Sequence, residues 1–145
     1  MSETETASSG SGQEAIVVGY IPTPLGVAAF VRAKDEAVIR GARVVVVNTG
    51  SHGNYSSPLF AKPADLEAIE AELTKAGIAH EVLQPTAGRS AADEILDAAA
   101  RTDATLIILG LRRRSPVGKL LLGSTAQQVL LEAPCAVLAV KGDES

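Results

Sequence analysis

The feature that most constrains the fold of this chain is a set of five short apolar runs separated by segments with helical periodicity. The runs cover Ala15–Tyr20, Arg43–Asn48, 79–84, 105–109 and 135–140. Most are rich in Val, Ile and Leu without polar alternation, as expected of strands buried on both faces of a sheet. The third run is partly polar, which places it at the edge of the sheet. Alternating strands and helices predict a parallel sheet with right-handed crossovers.

The segments between these runs carry apolar residues at the spacing of a helix face. Ser90 is placed to cap the third helix, and Gly41 and Gly77 follow helical stripes where a left-handed residue is favoured. The stripes are Val27, Phe30, Val31 and Val38 in the first helix, Leu66, Ile69, Leu73 and Ala76 in the second, Ala92, Ile95, Leu96 and Ala99 in the third, and Ala126, Val129 and Leu130 in the fourth.

The composition indicates one domain with an aliphatic core. The chain has 145 residues, of which 46% are hydrophobic but only 3% aromatic, which favours a buried parallel sheet over an aromatic-rich sandwich. We expect a disordered N-terminal tail at 1–13, a domain at 14–141 and a short C-terminal tail at 142–145. No apolar run is long enough for a membrane span.

The net charge and the cysteine count indicate which partners and which cellular compartment to expect. The formal net charge is −4, which argues against nucleic-acid binding because that function usually needs a basic face. The single cysteine, Cys135, excludes an intramolecular disulfide and favours a reducing compartment, so we expect a cytoplasmic protein. Cys135 lies in an apolar run and is interpreted as a small buried residue.

A local basic segment, 110–125, follows the fourth apolar run. It contains glycines and cations but no acid, and it ends just before the fourth helical pattern. Backbone N–H groups at a helix start, bare glycine backbone and positive charge are what a phosphate-binding loop needs. The alternative interpretation is a solvated basic turn with a serine cap. The relevant residues are Gly110, Arg112, Arg113, Arg114, Lys119, Gly123, Ser124 and Thr125.

The expected strand order also predicts that the basic segment 110–125 lies at a binding site. In open parallel sheets, ligands bind beyond the carboxyl ends of the strands at the point where the strand order reverses. For the common order 3-2-1-4-5 this point lies between the first and fourth strands, and the loops there are 20–26 and 110–124. We expect Gly110 to let the chain turn sharply off the fourth strand. A P-loop is excluded, because Arg113 and Leu120 stand where its first glycine and its Ser/Thr would be.

These residues resemble the universal stress protein family. Its nucleotide-binding members carry the motif G-x2-G-x9-G-[ST] between the fourth strand and the last helix, and this chain has Gly110, Arg113, Gly123 and Ser124 at those positions. The resemblance covers roughly residues 14–141 and is most specific over 106–140. It implies a Rossmann-like fold, similar to that of the adenine nucleotide alpha hydrolases, with helices on both faces of the sheet.

The chain departs from the family motif at two positions. Arg113 replaces the second glycine, and its side chain either pairs with phosphate or obstructs the site. Ile21 stands where ATP-binding members have an Asp that holds the nucleoside, and Tyr20 or Thr23 is a candidate replacement hydroxyl. Val47, near the end of the second strand, completes the set of candidate nucleotide-binding residues.

The resemblance implies a stress-response protein that binds ATP or a related adenine nucleotide, with Mg²⁺ accompanying ATP. It also implies a homodimer through the last strand, 135–140. A second hypothesis is a dimeric interaction module of the same fold that does not bind nucleotide. A third, an enzyme that hydrolyses nucleotide, is the weakest; slow hydrolysis or autophosphorylation at Ser124 or Thr125 would be incidental chemistry.

Other candidates for chemistry are weaker still. His52 lies on a long polar loop, 49–62, that is either a lid or a mobile surface loop. His80 lies in the edge strand. Asp93, Glu94 and Asp97 are interpreted as a solvated helix face, and no metal-ligand cluster or catalytic residue is predicted.

Overall fold

A computed structural model describes residues 13–49, 63–85, 88–112 and 123–142. Within these residues the chain alternates five strands and four helices, and the strands form one parallel sheet of order β3-β2-β1-β4-β5. The predicted order 3-2-1-4-5 is therefore confirmed. The elements are β1 Ala15–Tyr20, α1 Pro24–Arg40, β2 Arg43–Asn48, α2 Pro63–Lys75, β3 His80–Leu83, α3 Ala91–Arg101, β4 Leu106–Arg112, α4 Ser124–Glu132 and β5 Ala136–Gly142.

The core consists of two layers, one on each face of the sheet. Side chains from alternate strand positions point to opposite faces, so Ile16 and Val18 of β1 pack with α1 and α2, whereas Val17 packs with α3 and α4. Both layers are almost entirely aliphatic. The absence of polar alternation in the strands follows from this arrangement, because the central strands have no solvent-facing side.

The helix ends follow the local sequence. The hydroxyl of Thr23 caps α1 by accepting from the Gly26 N–H, and the hydroxyl of Ser90 caps α3 by accepting from the Asp93 N–H, as predicted for Ser90. Gly41 and Gly77 adopt positive φ angles of 65° and 72°, which confirms their predicted left-handed conformation.

The predicted buried face of α1 is wrong. Val27, Val31 and Val38 are exposed, with 47% of Val27 and 65% of Val38 accessible to solvent. The face that packs on the sheet is formed mostly by small residues, including Ala29, Ala33 and Ala37 together with Phe30. Alanines allow the helix to lie close to the strands, and their contribution to a hydropathy pattern is weaker than that of valine. Leu130 of α4 and Ala76 beyond α2 are likewise exposed.

The bounds of three strands differ from the predicted ones. The edge strand β3 is shorter by one residue at each end, and β4 begins at Leu106 but continues through Gly110 to Arg112. β5 begins at Ala136 and reaches Gly142, the first residue of the predicted C-terminal tail, because it stays paired with the extended β4. Gln13, the last residue of the predicted N-terminal tail, donates from its side chain to the Gly41 carbonyl.

The interpretation of the acidic residues of α3 as a solvated face is wrong for Glu94, which is only 9% exposed. Arg89 precedes the helix and donates to both carboxylate oxygens of Glu94 at 3.0 Å. Paired hydrogen bonds of this kind compensate the desolvation of a carboxylate. They also raise the pKa of Arg89 above its usual range, with Asp97 contributing. Asp97 lies 3.6 Å from Arg89 and also pairs with Arg101.

Candidate functional site

The pairing of β1 and β4 ends before the carboxyl end of the sheet. Their paired residues run from Ile16 with Leu106 to Val18 with Ile108. β4 then continues beside β5, with pairing that reaches Arg112 and Gly142. The switch point expected from the strand order is therefore bounded by the end of β1 on one side and by the last residues of β4 on the other.

Gly110 lies at this boundary, but it does not turn the chain. The prediction of a sharp turn there is wrong, because β4 continues for two residues beyond it. A Cβ added at Gly110 would lie 2.5 Å from Cγ of Leu25. The glycine therefore serves close packing between α1 and β4. On the neighbouring strand a Cβ at Gly19 would lie 2.9 Å from Cδ1 of Ile95 in α3, on the opposite face of the sheet.

We expect Gly110→Ala to destabilise the fold by about 1–3 kcal/mol, the usual cost of overpacking a core. Leu25→Ala in the same chain removes the atoms that the new methyl group meets. The double variant should therefore be less destabilised than the sum of the two single variants. Urea unfolding of all four proteins measures this coupling, and strictly additive effects would contradict the packing role of Gly110.

The N-terminus of α4 has no side-chain cap. Gly123 occupies the N-cap position with φ −70° and ψ 168°, and it has no side chain to bond the first-turn N–H groups. Ser124 and Thr125 are the first residues of the helix, as predicted. A Cβ added at Gly123 meets nothing within 4 Å. The bare backbone at this position is therefore not required by packing within the described residues, which distinguishes it from Gly110.

The turn between β1 and α1 is tightly closed. The Thr23 N–H donates to the Ile21 carbonyl at 2.8 Å, and the Thr23 carbonyl accepts from the Val27 N–H at 2.9 Å. The Gly26 N–H donates to the Thr23 hydroxyl oxygen at 3.1 Å. A Cβ at Gly26 would lie 1.9 Å from the Ile21 carbonyl oxygen. Thr23, predicted as a candidate nucleoside contact, therefore already serves as the helix cap.

Tyr20, Asn48 and Val47 lie at the ends of β1 and β2. Tyr20 is 5% exposed, and its ring packs edge-on against Phe30 with centroids 6.5 Å apart. Asn48 stands opposite Tyr20 in the parallel register and is fully buried. Sequence reasoning did not single out Asn48, although a polar residue ending a run of four valines is the available signal. Val47 is buried in the layer beneath α3 and α4.

The buried hydroxyl of Tyr20 gives a pH-dependent prediction. Burial raises the pKa of Tyr20 above its usual value of 10, and the carboxylate of Asp65 adds to the shift. Stability from the neutral phenol is present below pH 10 and is lost as the pH rises through the higher folded-state pKa. We expect alkaline destabilisation that is smaller in Tyr20→Phe than in the wild type. Absorbance titration at high pH in a Tyr55→Phe background should show Tyr20 ionising above pH 10, and ionisation at or below pH 10 would contradict the prediction.

Several candidates fall outside the described residues. They include Arg113, Arg114, Lys119 and the loop residue His52; Arg112 ends β4, and only its backbone is described. His80 lies in edge strand β3, with Nδ1 2.9 Å from the Ile78 carbonyl oxygen. Across the described ranges, no group of three or more His, Cys, Asp and Glu residues is arranged to hold a metal ion. None of the four described helices is long and apolar enough to cross a membrane.

Comparison with known proteins identifies the family. The model of the universal stress protein family matches residues 14–141. A universal stress protein of Mycolicibacterium smegmatis is 44% identical over 126 residues, which cover 87% of this chain and 96% of that protein. The chain belongs to the universal stress protein family. The resemblance drawn from the motif around Gly110, Gly123 and Ser124 is therefore confirmed.

Solved structures of the family share the fold. A universal stress protein from Archaeoglobus fulgidus is 30% identical, with a TM-score of 0.71 over 89% of this chain and 98% of that chain. A structure of the universal stress protein from the same organism in complex with dAMP is 23% identical, with a TM-score of 0.61 over the same shares of the two chains. This universal stress protein therefore has the Rossmann-like architecture of its relatives.

Proposed function

We propose that this universal stress protein binds an adenine nucleotide, ATP in the first instance, at the switch point between β1 and β4. The observation that carries the proposal is the uncapped N-terminus of α4. Gly123 leaves the first-turn N–H groups without a side-chain cap, and β4, the strand that precedes α4 along the chain, lies between β1 and β5 at the point where the strand order reverses. Such a helix end attracts anions through its N–H donors and the helix dipole.

Structures of other family members support an adenine nucleotide as the ligand. One Archaeoglobus fulgidus protein was solved with dAMP, and a further universal stress protein, 20% identical with a TM-score of 0.60 over 90% of this chain and 98% of that chain, was solved with cAMP. Both ligands combine adenine with a phosphate group. In this chain the hydroxyls of Ser124 and Thr125 would reinforce the N–H donors, and Arg112, Arg113 and Arg114 would neutralise phosphate charge. Mg²⁺ would accompany ATP.

Titration calorimetry of the purified full chain tests the proposal. We expect saturable binding of ATP in the presence of Mg²⁺ and weaker binding of inorganic triphosphate, which lacks the base and sugar. Arg113→Gly separates the two roles open to that residue, because a pairing arginine predicts weaker ATP binding in the variant and an obstructing one predicts tighter binding. The absence of ATP binding at millimolar concentration in both proteins would overturn the proposal.

A second candidate function is that of a dimeric interaction module that does not bind nucleotide, and the edge strand β5 favours it. β5 pairs with β4 on one side, and within the described residues no strand pairs with its other side. Its residues from Val137 to Val140 are only partly buried, and Leu131 of the adjacent α4 is 78% exposed. An apolar strand with an unpaired edge is normally covered, and a second copy of the chain would cover it.

Light scattering after size exclusion tests the dimer. We expect the wild type to have twice the chain mass of 14.9 kDa. Val140→Lys places a charge on β5, on a partly buried side chain that packs against the core layer beneath α1, and should shift a variant that still folds to the monomer mass. Val38→Lys makes the same change on the outer surface of α1, far along the sequence from β5, and should leave the dimer intact. A monomeric wild type, or two dimeric variants, would contradict pairing through β5.

The proposal describes a binding protein and not an enzyme. Members of this family are mostly non-enzymatic stress proteins, and signalling would follow from the nucleotide-bound state or from the dimer. A folded unit at 14–141, which β5 extends to Gly142, and a cytoplasmic location complete the proposal. A discontinuous assay for released phosphate over several hours measures any slow hydrolysis.

A further inference from the structure

We propose that Gln128 and Asp93 are positioning residues for the nucleotide site, because the hydrogen bond between their side chains holds the start of α4 in the orientation that binds phosphate. The inference rests on the proposed function and deepens it by adding a pair that acts through the helix. The Gln128 side-chain N–H donates to Oδ1 of Asp93 at 3.0 Å, across 35 residues of sequence. The bond joins the second turn of α4 to the first turn of α3.

The helix α4 has few features of its own that fix its first turn. It is nine residues long, its N-cap Gly123 provides no side-chain cap, and its first turn contains no acidic residue. Isolated helices of this length are marginal in water, so the direction of α4 depends on its contacts with the rest of the fold. It buries two side chains, those of Ala126 and Val129, in the layer that also contains Ile95 of α3.

These two buried side chains leave one motion of α4 weakly restrained. Ala126 and Val129 lie three residues apart and form a single line of contact along the helix. A helix that rests on one line can roll about that line, and the roll moves its first-turn N–H groups sideways. Gln128 is partly buried and lies to one side of the line, so its bond to α3 acts against the roll.

Asp93 is a firm anchor because its own helix is capped and well buried. The Asp93 N–H donates to the Ser90 hydroxyl oxygen at 3.1 Å, which fixes the residue in the first turn of α3. A carboxylate in this turn also interacts favourably with the dipole of α3. The helix α3 buries five side chains, whereas α4 buries two. The bond therefore ties the uncapped helix to the better anchored one.

The bond lies close to the end of α4 that is proposed to bind phosphate. Gln128 follows Ser124 by four residues, which is about 6 Å along the helix axis. Hydrogen bonds weaken steeply when the donor points away from the acceptor, and donors that are held in place before binding lose less entropy when the ligand arrives. Removing the bond is therefore expected to lower the affinity for ATP while every proposed phosphate-binding group stays in the chain.

Gln128→Met tests the inference, and Gln127→Met is the matched control. Methionine has nearly the length and helix propensity of glutamine but no amide donor. Gln127 is exposed on the same helix, so the control makes the same chemical change at the neighbouring position. Calorimetry with ATP and Mg²⁺, well below the melting temperature of each protein, should show about fivefold weaker binding for Gln128→Met, the effect of one ordinary hydrogen bond. Gln127→Met should agree with the wild type within about twofold.

A double-mutant cycle separates the bond from the charge of Asp93. Asp93→Ala removes the acceptor and also a negative charge, and the loss of this charge by itself favours a polyphosphate ligand. The charge effect is the same in the wild-type and Gln128→Met backgrounds, so the cycle cancels it. We expect the loss caused by Gln128→Met to shrink to less than about twofold in the Asp93→Ala background. In the Asp93→Asn background, where an amide oxygen still accepts, the loss should remain about fivefold.

The order of the backbone gives a readout that a purely structural role would not move. In the absence of nucleotide, the NMR order parameters of the Ser124 and Thr125 amides should fall in Gln128→Met and stay unchanged in Gln127→Met. A wild type that binds ATP and a Gln128→Met variant that binds it equally well would overturn the positioning role and leave the proposed function intact. A wild type that does not bind ATP would overturn both. Equal losses with and without the Asp93 carboxylate would show that Gln128 acts without this bond, which also contradicts the inference.

Discussion

Gly123→Asp is expected to stabilise the folded chain and to abolish most of its affinity for ATP. An aspartate at the N-cap of α4 accepts from first-turn N–H groups and complements the helix dipole, which stabilises by about 0.5–1 kcal/mol. The same N–H groups are then occupied, and the carboxylate repels phosphate. Losing charge-assisted hydrogen bonds of about 1.5–3 kcal/mol predicts roughly 100-fold weaker binding. Urea unfolding and ATP calorimetry on the same protein measure both effects.

The opposite signs of these two effects make the test specific. Ala71→Asp adds the same charge on the exposed surface of α2 and should change ATP affinity by less than about twofold once salt screens distant charges. If Gly123→Asp binds ATP as tightly as the wild type, the phosphates do not contact the start of α4. If it lowers stability, the side chain does not cap the helix.

Gly26→Ala is expected to cause the largest loss of stability of any single methyl addition described above. The new Cβ would lie 1.9 Å from the Ile21 carbonyl oxygen, and the three nearest atoms that it meets are all backbone atoms of Ile21. The turn has to open, which breaks the Thr23 hydrogen bonds at the start of α1. We expect the free energy of unfolding to fall by about 3 kcal/mol or more, since a backbone clash adds to the lost hydrogen bonds.

Gly123→Ala is the matched control for this prediction. It is also a glycine-to-alanine change at the start of a helix, but its Cβ meets nothing within 4 Å. The expected cost is about 1 kcal/mol or less, from the poorer N-cap preference of alanine. Denaturant midpoints of the two variants give the comparison directly. A loss below about 1 kcal/mol for Gly26→Ala would mean that the turn between β1 and α1 accommodates the methyl group with little strain, and would contradict the prediction.

Much of the fold could be predicted from the sequence because buried parallel strands have a strong signal. Val44 to Val47 form an unbroken apolar run, which predicts a strand that is buried on both faces of the sheet. The helices were harder to orient. In α1 the exposed valines are more hydrophobic than the buried alanines. A hydropathy pattern therefore assigns the buried face of the helix to the valines, which is wrong. Glu94 was misread for a similar reason, because its partner Arg89 lies outside the helix and the pairing depends on three-dimensional geometry.

The candidate site was only partly predictable. The start of α4 at Ser124 followed from the glycine and hydroxyl residues before an apolar stripe, and the switch point followed from strand order. The role of Gly110 did not follow, because a sequence does not show that Leu25 of a helix on one face packs against it. Asn48 was missed because the sequence shows a polar residue at the end of a run of valines but does not show that this residue is fully buried.

The packing of Gly110 against Leu25 limits what a sequence motif can reveal about other members of the family. Selection for a close contact between α1 and β4 would retain this glycine in relatives that have lost their ligand. The residues at 25 and 110 are then expected to vary together, as are those at 19 and 95, because a Cβ at Gly19 meets Ile95. Packing among the described residues does not require Gly123, so we expect other residues to replace it in relatives that no longer bind the ligand. Of the two glycines, the second is the better marker of a functioning nucleotide site.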